Sequence, residues 1–126
     1  MVKHATKAII CKDNKYLLQL RDNKKNIYFP NSWGFFGGEV GLRETPENSV
    51  KREVKEELSA GCSFLKKLFE LENPGTGTQV HFFYFETKKN IKKKHLNEGQ
   101  DLGWFLPKEM KKIKCTWDVK FFFKLN

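Results

Sequence analysis

Apolar residues in the first third of the chain come in short runs separated by polar doublets and glycines. Residues 5 to 11, ATKAIIC, and 16 to 20, YLLQL, flank the polar stretch KDNK. Asp-Asn between two apolar runs is tight-hairpin chemistry, so these segments predict two antiparallel strands. RDNKKNIYFPNS, residues 21 to 32, is polar, carries one proline and is long for a connection, a trait of functional loops. WGFFGGEVG follows as an aromatic strand that closes on glycines.

The pattern then changes period. Val50, Val54 and Leu58 recur every four residues and define the buried stripe of a helix, with Lys51 and Lys55 opposite. Thr45 suits the N-cap, Pro46 the first helical position and Glu47 the positive end of the dipole, while Gly61 is the expected stop. FLKKLFEL (64 to 71) precedes an NPGTG turn and reads as a strand. QVHFFYFET (79 to 87) is apolar on both faces, the mark of a central strand. A basic loop (88 to 97), a strand at GWFL, a short helix at PKEMKKI and a terminal helix in TWDVKFFFKLN complete the chain. This order predicts an α/β fold, a mixed sheet with helices packed on it, in one domain over residues 1–126.

Composition narrows the classes. With 39% hydrophobic residues and twelve Phe in 126, a packed core is expected and disorder is excluded. No apolar run approaches the ~20 residues of a membrane span, and MVKHATKAII has no stretch suited to a secretory signal. Cys11, Cys62 and Cys115 are odd in number and scattered, which predicts reduced thiols in a cytoplasmic protein and no zinc site. The net charge of +9 invites a polyanion, but only three of the 24 basic residues are Arg (Arg21, Arg43, Arg52). Specific nucleic-acid binding is therefore set aside in favour of weak attraction of a small phosphorylated ligand, steered by the lysines of 88 to 94.

One local feature opposes that charge. KREVKEEL places Glu53, Glu56 and Glu57 at helical offsets of three and four, where like charges repel by roughly a few tenths of a kcal/mol per pair. On a wheel of ~100° per residue their arc borders the buried stripe and avoids the lysine side. Such a cluster is either a solvated face or a seat for a cation, and its hard oxygen ligands suit Mg²⁺ or Mn²⁺.

The residues upstream favour the cation. From Gly38 the chain runs a glycine, five residues, Glu44, seven residues, then Arg52-Glu53-Val54-Lys55-Glu56-Glu57. This resembles the signature of the Nudix hydrolases, including the MutT-type enzymes. Ser59 stands where the pattern has Gly, Ala60 where a larger aliphatic is usual, and Gly41 and Arg43 where many relatives have Glu and Gly. No departure removes a carboxylate. YLLQLRD…NSWGFFGG and NEGQDLGWFLPKEM are similar to flanking segments of the family, so the resemblance covers nearly the whole chain.

The resemblance implies the Nudix α/β/α sandwich and hydrolysis of a pyrophosphate bond in a nucleoside diphosphate linked to a group X, such as a nucleoside triphosphate or a nucleotide sugar. It implies that Glu53, Glu56 and Glu57 ligate Mg²⁺, with Mn²⁺ as a substitute, helped by the Gly37 carbonyl. Arg52 would hold a carboxylate in place and Glu44 would brace the loop against the helix. Gly37 and Gly38 would let backbone approach metal and phosphate. Glu98 is either the base that takes a proton from the attacking water or a solvated loop residue. Arg21 is either a phosphate contact or a surface charge, and Asp118 either accepts hydrogen bonds from a purine or caps the last helix. Tyr28, Trp33 and Phe35 offer a stacking surface or belong to the core, and His81 reads as a satisfied interior or edge residue. The competing class is a non-catalytic Nudix module that binds a nucleotide or RNA. Finally, Phe121, Phe122 and Phe123 fan across roughly 200° of a terminal helix that also carries Trp117, which predicts an apolar patch and a homodimer.

Overall fold

The computed structural model describes residues 2–23, 29–58 and 61–125. Tyr28, Ser59 and Ala60 lie outside the described residues. Strand β1 (His4–Lys12) turns into β2 (Lys15–Leu20) through Asp13 and Asn14, whose φ angles of 51° and 65° are those of a two-residue hairpin with left-handed centres. Registered pairing of β1 with β2 is confined to Cys11–Tyr16 and Lys12–Lys15, beside the turn. Beyond it the two strands take separate partners.

β1 is flanked by β4 (Phe36–Glu39), antiparallel, and by β6 (Gln79–Glu86), parallel, with β5 (Ser63–Glu72) antiparallel outside β6. β2 is flanked by β3 (Trp33–Gly34) and β7 (Asp101–Phe105), both antiparallel. The predicted central place of 79 to 87 is observed. The single aromatic strand expected at 33 to 41 divides at Phe35, because its first part pairs with β2 and its second with β1.

Alternation along the strands builds two cores. Ala8, Ile10, Leu17, Phe36, Phe83 and Phe85 face helix α1 (Pro46–Glu57) and its Val50, Val54 and Leu58. Ile9, Leu18, Phe35 and Phe82 face the other way, toward Met110 of α2 (Pro107–Met110) and Val119 of α3 (Trp117–Phe122). Helices thus cover both faces of a mixed sheet, the α/β sandwich that the pattern predicts. Among the described residues no helix is long and apolar enough to cross a membrane.

Two details of the helices differ from expectation. α1 stops at Glu57 and not at Gly61, because Leu58 adopts an extended conformation and bridges to Leu96. In the tail, Phe122 and Phe123 pack with Phe35 and leave Phe121, at 55% exposure, as the ring in solvent. The apolar surface is therefore smaller than a fan of three would expose.

The hairpin gives a direct check of the turn chemistry. A left-handed conformation costs an ordinary L-residue about 1–2 kcal/mol, and Asn tolerates it better than Ala. Asn14→Ala should lower stability by about 1 kcal/mol in urea unfolding, while Asn14→Gly should not.

Candidate active site

The segment before α1 is tied to the helix by one carboxylate. Glu44 accepts from Gly41 N at 2.7 Å, and Arg52, two turns along α1, donates to both its oxygens, Nε at 2.6 Å and Nη2 at 2.9 Å. The bidentate pair holds the Glu44 carboxyl below its usual range, Arg52 first and the Gly41 amide second. Thr45 caps the helix by accepting from Asn48 N. Arg43 has a φ of 66°, a left-handed position that glycine would adopt without steric cost. Gly41 has its own reason, since a Cβ there would stand 2.6 Å from Glu44 Oε1.

Along α1 the three glutamates form a gradient of burial. Glu56 is exposed, Glu53 half-buried and Glu57 only 4% exposed. Glu57 accepts from Gln19 Nε2 at 3.0 Å and from Gly37 N at 3.1 Å. Burial nonetheless dominates and pushes its pKa up to about 8, against the two hydrogen bonds that favour the anion. Desolvation also raises Glu53, partly offset by Arg52, and the Glu98 charge adds to the rise at both groups. Arg52 Nη1 bridges Glu53 Oε1 and Glu56 Oε2, each at 3.1 Å. With the guanidinium between them, no three His, Cys, Asp or Glu side chains among the described residues converge as a ready metal cage. The donor set still fits a hard divalent cation. Glu44, Glu53 and Glu56 share the Arg52 guanidinium, Glu57 lies buried away from it, and desolvation raises the pKa of both Glu53 and Glu57, as expected of anions that lack a cation.

The glycine pair serves two different needs. Gly37, at φ 150°, lies so close to β1 that a Cβ would run into the Thr6 carbonyl. At Gly38 a Cβ would stand 2.6 Å from Glu53 Oε1, so its absence makes room for the carboxylate. It is the Gly37 N–H, and not its carbonyl, that touches Glu57 in this arrangement.

Glu98 is exposed, on a loop that runs over the end of α1. Asn97 N donates to Glu57 O at 2.9 Å and Asn97 Nδ2 to Glu56 O at 2.8 Å. Sequence reasoning missed both Asn97 and Gln19. A buried polar residue inside YLLQL was a signal for Gln19; nothing local marked Asn97.

Arg21 and Asp118, 97 positions apart in the chain, line the same cavity of about 250 Å³ beside Gly38. Trp117 and the exposed Phe29 share its wall, and continue into an adjoining hollow at Asn73–Thr76. Asp118 is only 1% exposed and does not cap α3; Thr116 holds the cap position and Asp118 sits in the first turn. Its Oδ2 lies 3.8 Å from Lys7 Nζ, and among the described residues neither it nor the buried Thr116 Oγ1 has a hydrogen-bond partner. Buried acceptors without donors are costly, and they mark where a ligand's N–H groups would be welcome. Phe35 and Trp33 belong to the core on the α3 side. His81 is interior, with Nε2 2.9 Å from His4 Nδ1, and its Nδ1 lies 2.8 Å from Glu70 Oε2 without hydrogen-bond alignment.

A model of the NUDIX domain matches residues 2–125. A Caenorhabditis elegans protein named after the nudix hydrolases is 29% identical over 128 residues, 98% of this chain and 34% of that protein. The 8-oxo-dGTP diphosphatase of Haemophilus influenzae is 35% identical over 78 residues, 60% of this chain and 56% of that one. The chain thus spans about a third and about half of the lengths of these relatives. The crystal structure of a MutT protein from Methanosarcina mazei superposes with a TM-score of 0.77 at 19% identity, covering 98% of this chain and 91% of that one, a likeness of fold.

Two outcomes follow from the geometry. Gly37→Ala should prevent stable folding, whereas Gly38→Ala should fold and displace the Glu53 carboxylate, which circular dichroism and a crystal structure of the variant would distinguish. The second concerns pH. A carboxyl whose folded pKa is about 8 keeps its proton where the unfolded chain has lost it, so stability declines as pH rises from about 4.5 to 8. In EDTA, the unfolding free energy should fall across that window by on the order of a few kcal/mol, read by urea denaturation at each pH, and Glu57→Gln should flatten the fall.

Proposed function

The chain belongs to the Nudix family, and from that membership we propose that it hydrolyses a pyrophosphate bond in a nucleoside diphosphate linked to a group X, over a Nudix domain spanning residues 1–126. The observation that carries the proposal is the gathering of Glu53, Glu56, Glu57 and Glu98 around one end of α1, beside the cavity that holds Arg21 and Asp118. The site residues would hold Mg²⁺ or Mn²⁺ through Glu53, Glu56 and Glu57 and the Gly37 carbonyl. When bound, such an ion neutralises phosphoryl oxygens and acidifies a water molecule.

The chain's own groups supply the rest. Arg52 and Glu44 lock the preceding loop to the helix, so that Gly38 and Glu53 keep a constant relation. Glu98 accepts the proton of the attacking water as its oxygen bonds to phosphorus and the bridging P–O bond breaks, leaving a nucleoside monophosphate and a phosphorylated X. Arg21 pairs with the phosphates. Asp118 Oδ2 and Thr116 Oγ1 accept from N–H groups on the edge of a base, with Trp117 and Phe29 as apolar walls. A nucleoside triphosphate fits this reading best, and the 8-oxo-dGTP in the name of the Haemophilus influenzae relative heads the substrates to test.

A screen of nucleoside triphosphates and nucleotide sugars with Mg²⁺, reading phosphate and pyrophosphate release, tests the activity. Hydrolysis should stop in EDTA. Glu56→Gln and Glu57→Gln should lower kcat by two orders of magnitude or more with the fold intact, the scale of several kcal/mol of transition-state stabilisation. Asp118→Asn should act mainly on KM and change the preferred base. Tight nucleotide or RNA binding without turnover of any substrate would replace the enzyme by a binding module.

A further inference from the structure

We propose that Asn97 is a positioning residue, which holds Glu98 against the acidic end of α1 by capping that helix from outside. The inference rests on the reading of Glu98 as the proton acceptor and adds how a loop residue comes to be kept in place for it. The last carbonyls of any helix lack intrahelical partners. Here the carbonyls of Glu56 and Glu57 receive the Nδ2 and N donors of Asn97, at 2.8 and 2.9 Å, from 41 and 40 positions away in the chain. The residue before, Leu96, bridges to Leu58. After Glu98, Gly99 turns at φ 91° where a Cβ would stand 3.1 Å from both Gln19 Oε1 and the Leu20 carbonyl. Gln100 then donates from N to Leu20 O and from Nε2 to Arg21 O and Asn31 Oδ1.

Each neighbour of Glu98 is therefore anchored, on one side to α1 and on the other to β2. Those anchors fix the backbone on both sides of an exposed carboxylate, between the last turn of α1 and β2. Both the Asn97 and the Gln100 side chains can be removed without touching their main-chain bonds, and of the two it is Asn97 that reaches α1. It fixes Glu98 to the same helix end that carries Glu56 and Glu57, so a shift of the loop alters the distance between the proton acceptor and the metal-facing carboxylates.

The test is a double-mutant cycle with the nucleotide turned over in the screen. Asn97→Ala should lower kcat by about ten- to a hundredfold, the cost of an ångström-scale misplacement, with KM within about twofold. In a Glu98→Gln background the same substitution should add nothing, because it acts through Glu98. Asn97→Asp, equal in size but lacking the Nδ2 donor, should behave like Asn97→Ala and serves if Asn97→Ala does not fold. Independently of activity, amide hydrogen exchange at 97–100 should accelerate in the variant while β6 stays protected. Wild-type kcat, unchanged exchange, or full additivity with Glu98→Gln would overturn the positioning role. Wild-type rates in Glu98→Gln alone would instead remove Glu98 as proton acceptor, and the proposal with it.

Discussion

A carboxylate buried at the wrong end of a helix is the constraint around which this protein is arranged. Glu57 closes α1, where the partial charges of the helix are negative and an anion is unwelcome, and it is almost without contact with water. A group in that position stays charged only with dedicated donors. Gln19 from β2 and the Gly37 amide from β4 reach it directly, and Asn97 satisfies the carbonyls that would otherwise repel it. Even so the proton is held up to about pH 8. The site is poised for positive charge.

Meeting that constraint explains much of the local architecture. Gly37 reaches Glu57 because β4 lies against β1 with no side chain at that position, and Gly38 leaves the space that Glu53 occupies. Arg52 gathers Glu44, Glu53 and Glu56 on one guanidinium, which ties the incoming loop to the helix and offsets some of the crowding. The division into two groups of strands also serves the site. β1 and β2 part beyond their hairpin, so one brings Gly37 and Gly38 through β4 while the other brings Gln19 and the loop of Glu98.

The proposed substrate cavity follows a different logic. Its acceptor atoms, Asp118 Oδ2 and Thr116 Oγ1, are buried on the α3 side and lack hydrogen-bond partners among the described residues. An enzyme that must tell one base from another gains most from polar groups that are unsatisfied without the right partner. In the proposed reading, phosphate chemistry falls to α1 and base recognition to α3, the two meeting beside Gly38.

Much of this was legible in the residues themselves. Hairpin, caps, buried stripe and central strand depend on local periodicity and turn chemistry, so the elements and the α/β layering follow from sequence alone. The spacing of Gly38, Glu44, Arg52, Glu53, Glu56 and Glu57 likewise marked the candidate site, because one loop and one helix hold them all. What only tertiary structure decided depends on contacts between distant segments. Burial separates three similar glutamates into an exposed, a half-buried and a buried one, and desolvation raises the pKa of Glu53 and Glu57. Register places Gln19 under Glu57, and a helix end 40 residues away receives Asn97. The residues leave Asp118 as either a purine acceptor or a cap, and packing of α3 on the sheet makes it a buried side chain lining the same cavity as Arg21. Periodicity records which face of an element is apolar; it carries no information about which donors from elsewhere in the chain will meet that face.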